Sequence, residues 1–187
     1  MKKLFKAILI GSLFMVTTSL TIQAQSKVFG DKDHSSIAYT MHHPLHTWTG
    51  TSKEVTSIIV WNAKENEINQ VAVTVKMSTF DSQNANRDSH AMEVAEALKF
   101  PTISFVSTEI KPEGDSLSVS GKLNFHGIDR TISFKAAKNG SGNNLVVMGS
   151  FKIKLTDFDI TPPSLMAIST DDEMLIEFHM EYPISST

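Results

Sequence analysis

The feature that most limits the fold of this chain is hydrophobicity that repeats every second residue. Val71, Val73, Val75 and Met77 share one face of a run whose other face carries Thr74 and Lys76. Only an extended strand, whose successive side chains point to opposite sides, turns that spacing into one dry and one wet surface. The pattern recurs in Ile103 and Phe105, in Leu117, Val119, Leu123 and Phe125, and in Ile132, Phe134 and Ala136. It appears again in Phe151, Ile153 and Leu155, and in Ile176, Phe178 and Met180. With 36–43 and 54–61 this predicts about eight strands. One stretch changes period: Asp88 can cap a short helix around 88–98 carrying Ala91, Val94, Ala95 and Leu98, before Pro101 forces the chain to extend. Turn residues at 62–66, 112–115, 126–127 and 139–144 separate the strands. A single all-β domain over 25–187 is predicted. Alternation by itself suits a closed barrel and a two-sheet sandwich equally.

The first 24 residues follow a different rule. Lys2, Lys3 and Lys6 form a basic head, 7–16 an apolar run, and 17–23 a more polar stretch ending at Ala24. That order predicts a secretory signal peptide over 1–24 with cleavage after Ala24. The apolar run falls short of the roughly 20 residues a membrane-spanning helix needs, so no permanent membrane anchor is expected. Cleavage takes away three lysines and no acid, leaving 163 residues with a formal charge of −6. The whole chain already carries 20 acidic against 17 basic residues, which argues against a nucleic-acid partner that a basic surface would have to follow. The absence of cysteine excludes disulfides, thiolate zinc sites, a cysteine nucleophile and a lipid-modified cysteine anchor.

Candidate binding residues lie in the inward phase of the strands. Met41, Met77, Met174 and Met180 fall there, and unbranched thioethers suit a wall that adapts to a flexible guest. Tyr39, Phe105, Phe125, Phe134 and Phe178 add broad apolar surface. Two outcomes stay open: these side chains fill the interior, or they leave room for a ligand. A guest would have to be long, because ten buried methylenes yield roughly 8 kcal/mol against an association cost on the order of 4 to 15 kcal/mol. His43 shares the parity of Ile37, Tyr39 and Met41 and is expected inward, as a headgroup contact or a hydrogen-bonded core residue, whereas His42 points out. Together with His46 they raise an alternative, a histidine-dependent metal-binding or stress-protective protein. Pro44 keeps His42 and His46 from one helical face, and opposite parity separates His42 from His43.

Arg87 and His90 stand where the predicted helix begins, and unpaired N–H groups there favour a phosphate or carbonyl headgroup. An ion pair of Arg87 with Asp81 or Asp88 is the structural alternative. His126-Gly127 reads as a turn closed by a histidine hydrogen bond, and Asp157-Phe158 as a structural corner. No Gly-x-Ser-x-Gly elbow, phosphate-cradling loop or suitably spaced acidic pair is present. A binding protein is expected rather than an enzyme, with no resident cofactor or metal.

Five segments resemble the YceI-like family. They are Asp33-His34-Ser35-Ser36 running on to Met41-His42-His43, and Asn86-Arg87-Asp88-Ser89-His90 followed by Phe100-Pro101-Thr102-Ile103-Ser104-Phe105. The hairpin from Val119 to Arg130, the corner Thr156-Asp157-Phe158 and the terminal strand from Asp172 to Glu181 complete the set, in order and without a large gap. The resemblance implies a single eight-stranded, antiparallel, up-and-down barrel of lipocalin type. It implies a polyisoprenoid of quinone or polyprenyl phosphate type, or another long-chain amphipathic lipid, held in the barrel by an exported periplasmic carrier or reservoir. The expected ligand site then comprises Tyr39, Met41, His43, Met77, Arg87, His90, Phe105, Phe125, Phe134 and Phe178. An exposed edge or barrel mouth would also offer a homodimer contact. The chain departs from the family pattern at Trp48-Thr49-Gly50-Thr51-Ser52, where Gly-x-Phe is common, and in the histidines of 41–46, which implies a different headgroup preference at the first loop.

Overall fold

Every alternating run falls on a strand, with Met77 and Leu155 at two run ends passing into 3-10 turns. The computed structural model describes residues 25–141, 143–165 and 167–184, so the predicted leader at 1–24 lies outside the described residues. The strands are β1 (Gln25–Phe29), β2 (Ser36–His43), β3 (His46–Ser52), β4 (Val55–Asn62) and β5 (Glu67–Lys76). After the helix α1 (Ala85–Val94) come β6 (Thr102–Glu113), β7 (Ser116–Phe125), β8 (Ile128–Ser141) and β9 (Asn144–Lys154). The short β10 (Ser164–Leu165) and β11 (Ile168–Ser169) form a hairpin of their own before β12 (Glu173–Pro183). Ten strands make one antiparallel sheet in the order β1-β4-β5-β6-β7-β8-β9-β12-β2-β3. That sheet curls until the Ser57 hydroxyl on β4 donates to the Tyr182 hydroxyl on β12 at 2.9 Å, across five intervening strands. The Asp31 N–H reaches the Glu181 carbonyl at 2.7 Å beside it. Among the described residues β1 and β3 do not pair with each other, so the result is a curled half-barrel held by these bonds rather than by a complete ladder.

The all-β, lipocalin-like expectation holds, but the count of eight strands was too low. β1 and β3 escape an alternation search because their sequences, QSKVF and HTWTGTS, carry few apolar residues. β10 and β11 have two residues each, below any periodic window. The up-and-down order holds from β4 to β9 and fails at β1, which pairs with β4 instead of β2. Register shifts at Val60/Trp61 and at Ser107/Glu109 also reverse the inward phase along β5 and β6. Ile68 is therefore buried and Ile110 packs on the core, although each is out of parity with Val71 to Val75 or with Ile103 and Phe105.

The helix begins three residues earlier than predicted. Asn84 caps it, its side-chain oxygen accepting from the Arg87 N–H at 3.1 Å. Asp88, the expected cap, lies in the first turn and accepts from the Ser82 N–H at 3.1 Å. Arg87 thus sits inside the helix rather than before it. The helix ends at Val94, and Leu98, expected on its apolar face, lies past the end and is 99% exposed. His126 and Gly127 both adopt positive φ, 52° and 73°, forming the tight turn between β7 and β8. At one end of the curled sheet Ile59, Trp61, Leu117, Leu145 and Tyr182 are buried together. At the other stand α1 and two 3-10 turns, Met77–Thr79 and Leu155–Phe158. Among the described residues no helix is long and apolar enough to cross a membrane.

Candidate functional site

Wrapping the inward faces round one axis leaves a hollow. An inner chamber of about 130 Å³ runs from Tyr182 and Leu117 at the closed end to Phe125 and Met174 at the helix end. That is room for on the order of ten water-sized spheres. Its lining is hydrocarbon and thioether apart from the hydroxyls of Ser104 and Tyr182, and the Tyr182 hydroxyl is already engaged by Ser57. Burial pushes the Tyr182 hydroxyl up to about 12, opposed only in part by that bond. Phe105, Phe134, Phe151 and Phe178 form one wall. The rings of Phe134 and Phe151 stack at 4.9 Å, and Phe105 and Phe178 approach Phe134 at 5.5 and 5.6 Å. These rings do not plug the axis. Phe134, Phe151 and Phe178 point inward yet are only partly buried, because part of each ring faces open space.

An outer chamber of about 110 Å³ adjoins the first. Phe80, Ile103, Phe125, Met174 and Ile176 line both. Its walls are Tyr39, Met41 and Trp48 from β2 and β3, Met77 from the 3-10 turn, and Arg87, His90, Ala91 and Val94 from α1. Among the described residues of this lining, Arg87 alone carries a permanent charge. Its guanidinium lies 5.3 Å from the Trp48 ring centre and makes long contacts, 3.4 and 3.5 Å, to the carbonyl and hydroxyl of Ser82. Among the described residues no carboxylate lies within ion-pair distance of it. Asp81 and Asp88, its expected partners, accept instead from the N–H groups of Gln83 and Ser82. Burial raises the Tyr39 hydroxyl above its ordinary value, with a hydrogen bond from Trp48 pulling the other way. His90 is exposed at the rim, 3.7 Å from Glu93.

The structure therefore brings nine of the ten predicted residues to a chamber wall. Tyr39, Met41, Met77, Arg87 and His90 line the outer chamber, Phe105, Phe134 and Phe178 the inner one, and Phe125 both. His43 is the exception. It points inward and is 1% exposed, but its Nε2–H donates to the Ile168 carbonyl at 3.0 Å while Nδ1 accepts from the Leu45 N–H at 3.2 Å. It is a core histidine tying the β2–β3 turn to the β10–β11 hairpin. His42 pairs with Asp171 at 3.1 Å, and the His46 ring lies tilted against Trp48 with centres 5.1 Å apart. Among the described residues no three metal-ligating side chains converge. His126 does not close its own turn: its Nδ1 donates to the Phe158 carbonyl at 2.8 Å, docking the β7–β8 turn on the 155–158 corner, where Arg130 also binds the Asp157 carbonyl at 2.7 Å.

The candidates omit most of the aliphatic wall and four aromatic wall residues, Phe151, Trp48, Phe80 and Tyr182. Phe151 was legible, since it lies in phase with Ile153 and Leu155. Trp48 stands on β3, which alternation does not reveal, and Phe80 follows a 3-10 turn, which has no period of two.

Comparison with known proteins follows the same outline. The profile of the YceI-like domain matches residues 30–182. A UPF0312 protein of Enterobacter sp. strain 638 is 30% identical over 170 residues, covering 86% of this chain and 88% of the relative. Protein YceI of Salmonella newport strain SL254 is 29% identical over 185 residues, covering 94% and 96%. Among solved structures, Burkholderia cenocepacia BcnA superposes with a TM-score of 0.74 at 20% identity, covering 81% of this chain and 98% of BcnA. A polyisoprenoid binding domain from Saccharophagus degradans implicated in plant cell wall breakdown gives 0.70 at 13% identity, covering 87% and 100%. At these identities the two structures speak for the fold alone.

Proposed function

The chain belongs to the YceI-like domain family, and on that premise we propose that it binds a long-chain amphipathic lipid of the polyisoprenoid class in its two joined chambers. The observation that carries this reading is the division of the lining. The inner chamber is almost wholly apolar, with Ser104 and Tyr182 as its polar side chains, and repays the cost of immobilising a guest chiefly through many buried methylenes. The outer chamber adds a guanidinium with no carboxylate partner among the described residues and an exposed imidazole at its rim, a setting for a polar or anionic head. A quinone ring and a polyprenyl phosphate both match that order of greasy tail and polar end. The name of the Saccharophagus degradans domain supports the same ligand class.

The role is that of a binding protein, a carrier or reservoir exported to the periplasm after loss of residues 1–24. A hydrophobic small molecule is its partner and no side chain performs catalysis. Protein purified from its native periplasm is examined by native mass spectrometry and by organic extraction. A co-purified isoprenoid, on a polypeptide whose mass corresponds to a chain starting at Gln25, is the expected result. A clean apo mass from that source would overturn the ligand reading, and a retained leader would overturn the export reading.

A further inference from the structure

Three inward-facing slots in the sheet hold glycine where the strand pattern calls for a side chain. Gly50 lies between Trp48 and Ser52 on β3, Gly121 between Val119 and Leu123 on β7, and Gly149 between Val147 and Phe151 on β9. Across each glycine lies an aromatic ring from the adjacent strand. Tyr39 stands opposite Gly50 in register and Phe178 opposite Gly149, while Phe105 reaches diagonally over Gly121. The fit leaves no room for a methyl group. A Cβ on Gly50 would come within 2.5 Å of Tyr39 Cε1. One on Gly149 would meet Phe178 Cζ at 2.9 Å, and one on Gly121 would overlap the Phe105 ring. All three rings line the chambers.

We propose that Gly50, Gly121 and Gly149 set the bore of the cavity, and through it the preference for a methyl-branched chain over a straight one. An inward-pointing aromatic on a curled sheet normally projects toward the axis. A vacant slot on the next strand lets the ring lie back against the backbone, so its apolar surface becomes wall instead of plug. The lumen then keeps its aromatic lining and still has width. Width is what separates the two ligand classes, since a branched isoprenoid is thicker than an acyl chain of the same length. This inference rests on the lipid reading and deepens it.

Gly50 gives the cleanest test, because its three nearest obstacles all belong to the Tyr39 side chain, whereas Cβ atoms at Gly121 and Gly149 also meet backbone carbonyls. Delipidated wild type and Gly50→Ala are titrated with phytanol and hexadecanol, alcohols of equal backbone length that differ in methyl branching. Displacing the ring by the breadth of about two methylenes predicts phytanol binding weaker by about tenfold, with hexadecanol changed less than about threefold. Removing the ring in Gly50→Ala/Tyr39→Val restores phytanol. A folded Gly50→Ala that binds both alcohols as the wild type does overturns the inference. If the wild type binds neither, the lipid reading falls separately, and a crystal structure of Gly50→Ala decides the bore. A Tyr39 ring swung into the outer chamber upholds the proposal, and a ring left in place refutes it. Gly149→Ala with Phe178→Leu as its rescue repeats the test if Gly50→Ala does not fold.

Discussion

At the residue scale, His43 and Tyr182 are buried polar side chains with hydrogen-bond partners, whereas His126 Nε2 and the Thr170 hydroxyl are buried without one. His43 shows that parity predicts direction without predicting role. Alternation placed it inward, yet what it meets there is the backbone of two hairpins rather than the cavity. Tyr182 gives the sharper prediction. Its hydroxyl accepts from Ser57 across the curl, and burial raises it from an ordinary 10 to about 12. A group whose folded value is raised contributes stability that is complete below its unfolded value and is lost as pH climbs through the folded one. Urea unfolding of the wild type should therefore show stability falling from about pH 10 toward about 12. Tyr182→Phe should show a shallower fall, the remainder coming from Tyr39, which burial also raises, and at neutral pH it should be less stable by about 1 kcal/mol, because the Ser57 hydroxyl loses its acceptor.

At the scale of the element, α1 is the weak member beside the site. Its residues Ala85 to Val94 include none that is fully buried, so it is held by its cap and by partial contacts rather than by a deep apolar face. It nevertheless carries Arg87 and His90 and supplies a wall of the outer chamber. Removing the cap with Asn84→Ala should cost about 1 kcal/mol of local stability, seen as faster hydrogen exchange in α1 with β6 to β8 unchanged. Saturation with phytanol should slow exchange in α1 of the wild type, because the bound chain packs against Ala91 and Val94. Equal protection of α1 and the central strands in the free protein would contradict this account.

At the scale of the whole molecule, a hollow interior is a stability deficit that a ligand offsets. Side chains that face open space forfeit packing contacts on that side. Protein stripped of lipid should melt below the same protein as purified. A ligand at about a hundredfold its dissociation constant adds about 2.7 kcal/mol, which for a chain of this length raises Tm by about 5 to 10 °C. Identical melting of stripped and unstripped protein, with lipid demonstrably present in the latter, would mean that the guest lies outside the fold.

The sequence by itself determined what depends on near neighbours. Period-two runs gave the long strands, His126-Gly127 gave a tight turn, and the methionines and aromatics in phase gave part of the aromatic and thioether wall, since facing follows from parity wherever no bulge interrupts a strand. Tertiary structure decided what depends on many strands at once. Two bulges reset the facing of Ile68 and Ile110, and the polar strand β3 brought Trp48 to Arg87. Whether the core is filled or hollow depends on the curl, the sum of small angles between adjacent strands, and on which rings meet which glycines across those strands, and no local run of residues encodes either.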